Sequence, residues 1–474
     1  MRVNRLREFH LVCLRAKRSD MRVNMKTYNL QHAGCFLFLG YTFLFDLIEK
    51  VFGHKLPFIM VFAGAALYFA ALQKGEKRYL IPKAFAAKIL PWILFMLLFV
   101  IPRNQYIAHH NYWSTIRWVL AVIIMILASL QPLGNKGIMR IILLYSLVHV
   151  TATWVLYFAP TLYERLYRLW GYWPSGTEQN FQVYRAGITN NYSRNTIGQL
   201  PALFLMAAVI TVILLTRGMI KRINTARLLA AAAVITVTLG ALLLTAKRSG
   251  VLFGIAAILL GFVVYKYKKI NIAGIAGLGI AVLLLLLAAS RFVPPLQLII
   301  SRFLELGKDN STTSRIRMWK LALEMFARHP LIGNGWESFK FEYYAKLSAR
   351  TGSMYDYLDA HNVYLQVLAE TGLLGFTLFI ACIGTTFLTT YRVIQASDRV
   401  ESQFDRTAAL YSFMYQVYFI LYCATGNCLY DITFIHYTVA AGLMYGVYLK
   451  TFYSTEQTRA TYETYRYSDI SQSV

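Results

Sequence analysis

Acidic side chains are scarce in this chain. There are 22 Asp and Glu against 48 Lys and Arg in 474 residues, and charge of either sign makes up only 15%. Paired carboxylates of the kind that hydrolyse glycosides are absent. The stretches outside the apolar runs hold no Asp-x-Asp metal motif, no phosphate-binding glycine loop and no zinc pattern; Asp356 and Asp359, three apart, are weak support for a metal site. The five cysteines show no ligand spacing. Cys423 and Cys428 lie near a helix end and could pair, although two small packing residues is the plainer reading. No repeat and no low-complexity tract occurs. The basic first thirty residues precede an apolar stretch without a small-residue cleavage site, which excludes a cleavable signal peptide. Met21 and Met25 are plausible starts besides Met1, so residues 1–25 receive no function.

What the chain has in abundance is apolar length. Hydrophobic residues make up 57%, in repeated stretches of roughly twenty, the span of a membrane helix. About twelve spans are predicted: 33–49, 56–73, 84–101, 114–131, 138–160, 196–216, 226–245, 249–265, 271–290, 363–390, 406–424 and 431–449. The short loops holding Lys74, Lys77, Arg78 and Lys83, then Lys136 and Arg140, then Arg217, Lys221, Arg222 and Arg227, face the cytoplasm by the positive-inside rule. The loops near Lys266 and Arg392 agree. Both termini fall on that side. The net charge of +26 is therefore mostly a topology signal, with the remainder suited to phosphates on the far side rather than to nucleic acid.

The predicted organisation is a basic cytoplasmic tail (1–32), helices 1–9 (33–290) with an outer loop at 161–195, a long outer loop (291–362), helices 10–12 (363–450) and a cytoplasmic tail (451–474). Residues 161–195 are too aromatic for a solvated linker. Within 291–362, Ser314 to Arg328 reads as an amphipathic helix with Ile316, Trp319, Leu323 and Phe326 on one side. Ser311, Thr312 or Thr313 could cap it. Pro330 and the Gly-Asn-Gly that follows mark a helix stop and tight turn.

Four constellations on the outer side could carry chemistry. Lys247 and Arg248 sit between two apolar spans, where a cation needs a partner; a phosphate suits the guanidinium fork. The plain alternative is an arginine reaching lipid headgroups. Arg315 lies in the first turn of the predicted helix, where a cation opposes the dipole unless an anion is bound nearby. Arg317 points about 200° away, and Arg315 shares its side with Trp319. His361 could take a proton from an attacking hydroxyl, oriented by Asp359 or the Asn362 amide. Gln366 and Glu370 continue from Asn362 at four-residue spacing, a polar stripe that would face a cavity rather than lipid. Last, the run from Tyr184 to Asn195 offers Arg185 and Arg194 for phosphate and Asn191 for sugar, or simply caps the next helix.

Taken in order, the Arg248 loop, SRIRMW followed by HPLIGNGW, and HNVYLQVLAETGLLGF after a long outer loop resemble the O-antigen ligase and polymerase superfamily of bacterial inner membranes. The likeness runs over roughly residues 30–450. Chain size and the single dominant loop look most like the ligase that joins O-antigen to lipid A–core. The resemblance implies an all-α integral membrane fold of GT-C-like type with a large helical periplasmic loop between spans 9 and 10. It implies an inverting, metal-independent glycosyltransferase that needs no cofactor. The donor would be an undecaprenyl-pyrophosphate-linked glycan and the acceptor a lipid A–core sugar hydroxyl. Membrane lipids and other lipopolysaccharide assembly proteins would be its companions. Arg248, Arg315 and His361 match the family's functional positions, with Arg185 or Arg194 less firmly aligned and Lys247 beside Arg248. Asn362, Asn191, Trp319 and Gln366 are the candidates for sugar contact. An O-antigen polymerase using the same donor is the runner-up, followed by a protein O-oligosaccharyltransferase and a polar-lipid transporter.

Overall fold

The computed structural model describes residues 55–74, 83–103, 113–130, 134–159, 225–244, 248–266, 310–351, 358–396, 402–430 and 433–452, with a few isolated positions. Among the described residues every regular element is a helix. In chain order these are α1 (Lys55–Lys74), α2 (Lys83–Phe95), running into a π-helical turn (Met96–Val100), α3 (Trp113–Leu130), α4 (Gly134–Phe158), α5 (Thr225–Leu244) and α6 (Arg248–Lys266). They continue with α7 (Asn310–Arg328), α8 (Ser338–Thr351), α9 (Val363–Gln395), α10 (Gln403–Cys423) and α11 (Thr433–Phe452). The apolar runs at 56–73, 84–101, 114–131, 138–160, 226–245, 249–265, 363–390, 406–424 and 431–449 all fall on these helices. The runs at 33–49, 196–216 and 271–290 lie almost wholly outside the described residues. Among the described residues two helices are long and apolar enough to cross a membrane, Gly137–Val155 within α4 and Val363–Gln395.

α11 packs between α3 and α10, and α9 lies against α2, α7, α10 and α11. The shared core is aromatic. Trp118 stacks on Phe434 at 4.4 Å, and Phe419 meets Tyr437 at 4.4 Å. In a dry interior the polar side chains must satisfy one another. Thr386 of α9 does so on several sides: its Oγ1 donates to the Cys382 carbonyl, accepts from Trp92 Nε1 at 3.2 Å and pairs with the Tyr445 hydroxyl at 3.1 Å. Gln416 Nε2 on α10 donates to Thr390 Oγ1 at 2.7 Å. Four helices are thereby joined by side chains that hydropathy alone would treat as neutral.

Two features of α7 differ from the sequence reading. The helix starts at Asn310, so Arg315 sits in the second turn instead of the first, and Ser311 to Thr313 are helical residues rather than caps. The buried stripe is Met318, Leu321, Ala322 and Met325, whereas Ile316 and Leu323 are exposed. Two apolar sets interleave on this helix, and the one at i, i+3, i+4, i+7 seats against Phe339, Ala360 and Ala369.

Candidate functional site

The site is built around a break in α9. Asn362 caps the helix, its side chain accepting from Leu365 N–H at 3.1 Å. Ten residues on, Gly372 leaves helical geometry at φ 64°, ψ −169°, a region open to glycine alone. A break frees backbone groups that must find partners. The HPLIGNGW loop supplies them. Asn334 and Gly335 N–H donate to the carbonyls of Ala369 (3.1 Å) and Glu370 (2.8 Å), and Leu373 and Leu374 N–H donate to those of Pro330 (2.8 Å) and Leu331 (3.1 Å). The Asn334 side chain adds bonds to the Met325 and Ala369 carbonyls at 2.8 Å each. Backbones this close leave no room for side chains. A Cβ at Gly333 would strike the Glu370 backbone, and one at Gly372 would strike Leu331 and Ile332.

Beside the break, the fully buried Glu370 carboxylate collects four donors: Glu337 N–H (2.9 Å), Phe339 N–H (3.2 Å), Gln366 Nε2 (3.1 Å) and the Tyr430 hydroxyl (2.8 Å). Burial and then the neighbouring carboxylate hold the Tyr430 phenol well above its ordinary pKa, so it remains a donor. Trp336 stacks on Tyr430 at 4.9 Å, and Arg117 donates to the Tyr430 carbonyl at 2.8 Å. Glu370 therefore joins the loop, α8, α9 and the turn after α10. It was legible only as the far end of a polar stripe. That stripe was expected to line a cavity; Gln366 and Glu370 are instead buried against protein donors.

His361, half-buried just before the cap, adopts φ 51°, costly for a residue with a side chain. Three bonds hold the backbone there. Its own N–H donates to Asn427 Oδ1 at 2.8 Å. The preceding Ala360 N–H donates to Gln366 Oε1 at 2.8 Å, and the Ala360 carbonyl accepts from Trp319 Nε1 at 3.1 Å. Trp319 follows Arg315 by one helical turn, so the face of α7 that carries Arg315 is the face docked beside His361. Arg315 is half-buried and Arg317 exposed.

Of the other predicted residues, Gln366 has its amide committed to Ala360, Glu370 and Asp359 Oδ1 (2.9 Å), which makes it a support for the turn. Asn362 is the helix cap. Trp319 is the indole bonded to Ala360. Arg248 opens α6, but its side chain, with Lys247, Arg185, Arg194 and Asn191, lies outside the described residues. Cys423 and Cys428 are buried thiols with sulfurs 3.3 Å apart, flanking the turn that carries Asn427. The sequence reading missed Asn427, Tyr430 and Arg103. Each is a lone polar residue whose partner lies at least sixty positions away, which no local spacing signals. Among the described residues no group of three His, Cys, Asp or Glu could hold a metal ion.

An all-helical architecture with helices long and apolar enough to cross a membrane fits a helical membrane protein. Comparison narrows this. The family described as O-antigen ligase matches residues 232–380, which take in α6, α7, the HPLIGNGW loop and the first part of α9. The recognition drawn from the motifs thus rests on a family match over that segment. A 97-residue stretch is also 26% identical to the exopolysaccharide production protein ExoQ of Rhizobium meliloti (strain 1021), covering 20% of this chain and 22% of that protein's length.

Proposed function

We propose that the protein is an inverting, metal-independent glycosyltransferase that moves O-antigen from undecaprenyl pyrophosphate to a lipid A–core sugar at the periplasmic face of a bacterial inner membrane. A GT-C-like bundle of about twelve spans would carry it. The observation behind this reading is the histidine: His361 sits in a strained conformation, clamped by three separate elements, within the segment that matches the ligase family. Backbone strain of that kind persists only where the surroundings over-determine it.

In this reading the donor's pyrophosphate lies against Arg248 and Arg315, with Arg185 or Arg194 and Lys247 near it. The acceptor hydroxyl oxygen attacks the anomeric carbon from the face opposite the pyrophosphate. Its proton passes to His361 as the new C–O bond forms, and the old C–O bond breaks toward the diphosphate. Inversion follows from that geometry. Guanidinium groups neutralise the leaving charge, an effect of about 10²–10³ in rate per lost donor. The imidazole contributes about 10²–10⁴ as general base.

His361→Ala and Arg248→Ala should each abolish transfer from lipid-linked donor to rough lipopolysaccharide while inserting normally. Wild-type rates from either variant would defeat the assignment. A second reading comes from the match to a protein named for exopolysaccharide production: the same chemistry could extend a lipid-linked polymer. The same assay separates them, because a polymerase lengthens the donor glycan and leaves lipopolysaccharide uncapped.

A further inference from the structure

Arg103 has no part in the proposed reaction, yet the fold places it with care. It follows the π-helical turn Met96–Val100, a local widening of the kind found at functional sites. Its carbonyl accepts from Trp336 N–H at 3.1 Å, and its Nη2 donates to the Gly333 carbonyl at 3.1 Å. One edge of the guanidinium thus fastens the HPLIGNGW loop. Among the described residues it forms no ion pair. Beside it is a cavity of about 410 Å³, lined among others by Arg103, His329, Ser338, Glu342 and Ile332. The Ser338 hydroxyl is buried there without a hydrogen-bond partner among the described residues. Glu342 is tied up by Arg328 at 2.8 Å, so the opposing charge is partly neutralised.

The edge of this cavity is apolar. Ile332 lines it and is 47% exposed, with Leu331 beside it at 63%. The backbone bonds across the helix break set these two next to Leu373 and Leu374, exposed by 51% and 57%. Further along α9 the exposed residues include Ile380 and Leu388, which share the Leu373 face at seven- and eight-residue steps. An exposed aliphatic surface that begins at a cavity carrying the Arg103 guanidinium and continues down a helix able to cross a membrane has the polarity profile of a lipid molecule.

We propose that this cavity binds the anionic phosphate headgroup of a membrane lipid, with Arg103 as its charged contact and the lipid's chain lying along Leu331, Ile332 and Leu373. Six residues of α7 separate Trp319, which bonds Ala360, from Met325, which lines the cavity, so the cavity stands apart from the His361 turn. The inference depends on α9 crossing a bilayer and not on glycosyl transfer.

The test uses purified full-length protein in neutral detergent, offered phosphatidylglycerol, phosphatidylcholine or inorganic phosphate, with bound species counted by native mass spectrometry. Phosphatidylglycerol should bind in preference to phosphatidylcholine. Arg103→Ala should weaken phosphatidylglycerol about tenfold, the scale of one lost charge-assisted hydrogen bond, and Arg103→Lys should retain most of it. Because Arg103→Ala also releases Gly333, Glu342→Gln provides an independent arm. Removing that carboxylate should tighten phosphatidylglycerol binding severalfold, a change of sign that loss of structure cannot produce. Equal binding by wild type and both Arg103→Ala and Glu342→Gln would overturn the site. Displacement of the lipid by inorganic phosphate would overturn the lipid as its occupant. Transfer activity is not read, so failure here leaves the reaction untouched.

Discussion

The two parts of α9, before and after Gly372, are one helix built to two specifications. Ahead of the break, Gln366 and Glu370 carry ionisable or amide groups into a fully buried setting, and every neighbour is there to bond them. Beyond it, until the final turn, the polar side chains are threonines that mostly bond back to their own helix, as Thr377 does to Leu373 and Thr389 to Thr385, while leucine and isoleucine fill the outer face. Apart from Thr386 and Thr390, which bond Trp92, Tyr445 and Gln416 across helices, the second part needs only the right hydropathy. The first needs particular residues, because a buried carboxylate with a partner missing costs far more than a misplaced leucine. That is why the recognisable motif runs from His361 to Phe376 and fades afterwards.

Substitutions can widen or erase this contrast. The largest stability loss should come from Glu370→Leu, which strands four buried donors; about 3–5 kcal/mol is expected, read as a lowered thermal midpoint in detergent, with transfer lost as well. A midpoint near wild type would mean the lock is dispensable. Gly372→Ala comes next, at about 2–4 kcal/mol, from a forbidden backbone conformation and a collision with Leu331 and Ile332. Asn427→Ala removes the acceptor for His361 N–H without touching the imidazole. It should lower kcat about tenfold with little change in KM, and Asn427→Asp should recover most of the loss. If alanine and aspartate behave alike, Asn427 does not position His361. The smallest effect belongs to Gly384→Ala, in the second part of the same helix. A Cβ there meets nothing, so stability should hold or rise by about 0.5–1 kcal/mol. Equal losses at Gly372 and Gly384 would abolish the distinction between the two parts.

Much of the fold was legible along the chain. Apolar runs marked where α1 to α6 and α9 to α11 lie, because burial in lipid or in a helical core is a property that twenty consecutive residues express together. Helical periodicity also put Arg315 and Arg317 on different sides of α7, where one is half-buried and the other exposed. The start of α7 and its buried stripe were not legible, since two apolar sets compete on that helix and only its seat against Phe339, Ala360 and Ala369 chooses between them. The polar stripe on α9 was visible, but not what it touches.

By itself, the order of residues determined which segments are apolar helices, the identity of the cations and the imidazole, and the presence of a tight glycine turn after Pro330. Only the tertiary structure decided that HPLIGNGW and the Glu370–Leu374 break are halves of one joint, and that Asn427 reaches His361 from sixty-six positions away. Hydropathy is summed over neighbours in the chain. A hydrogen bond is a matter between two atoms within about 3 Å of each other, and nothing short of the folded path brings those atoms together.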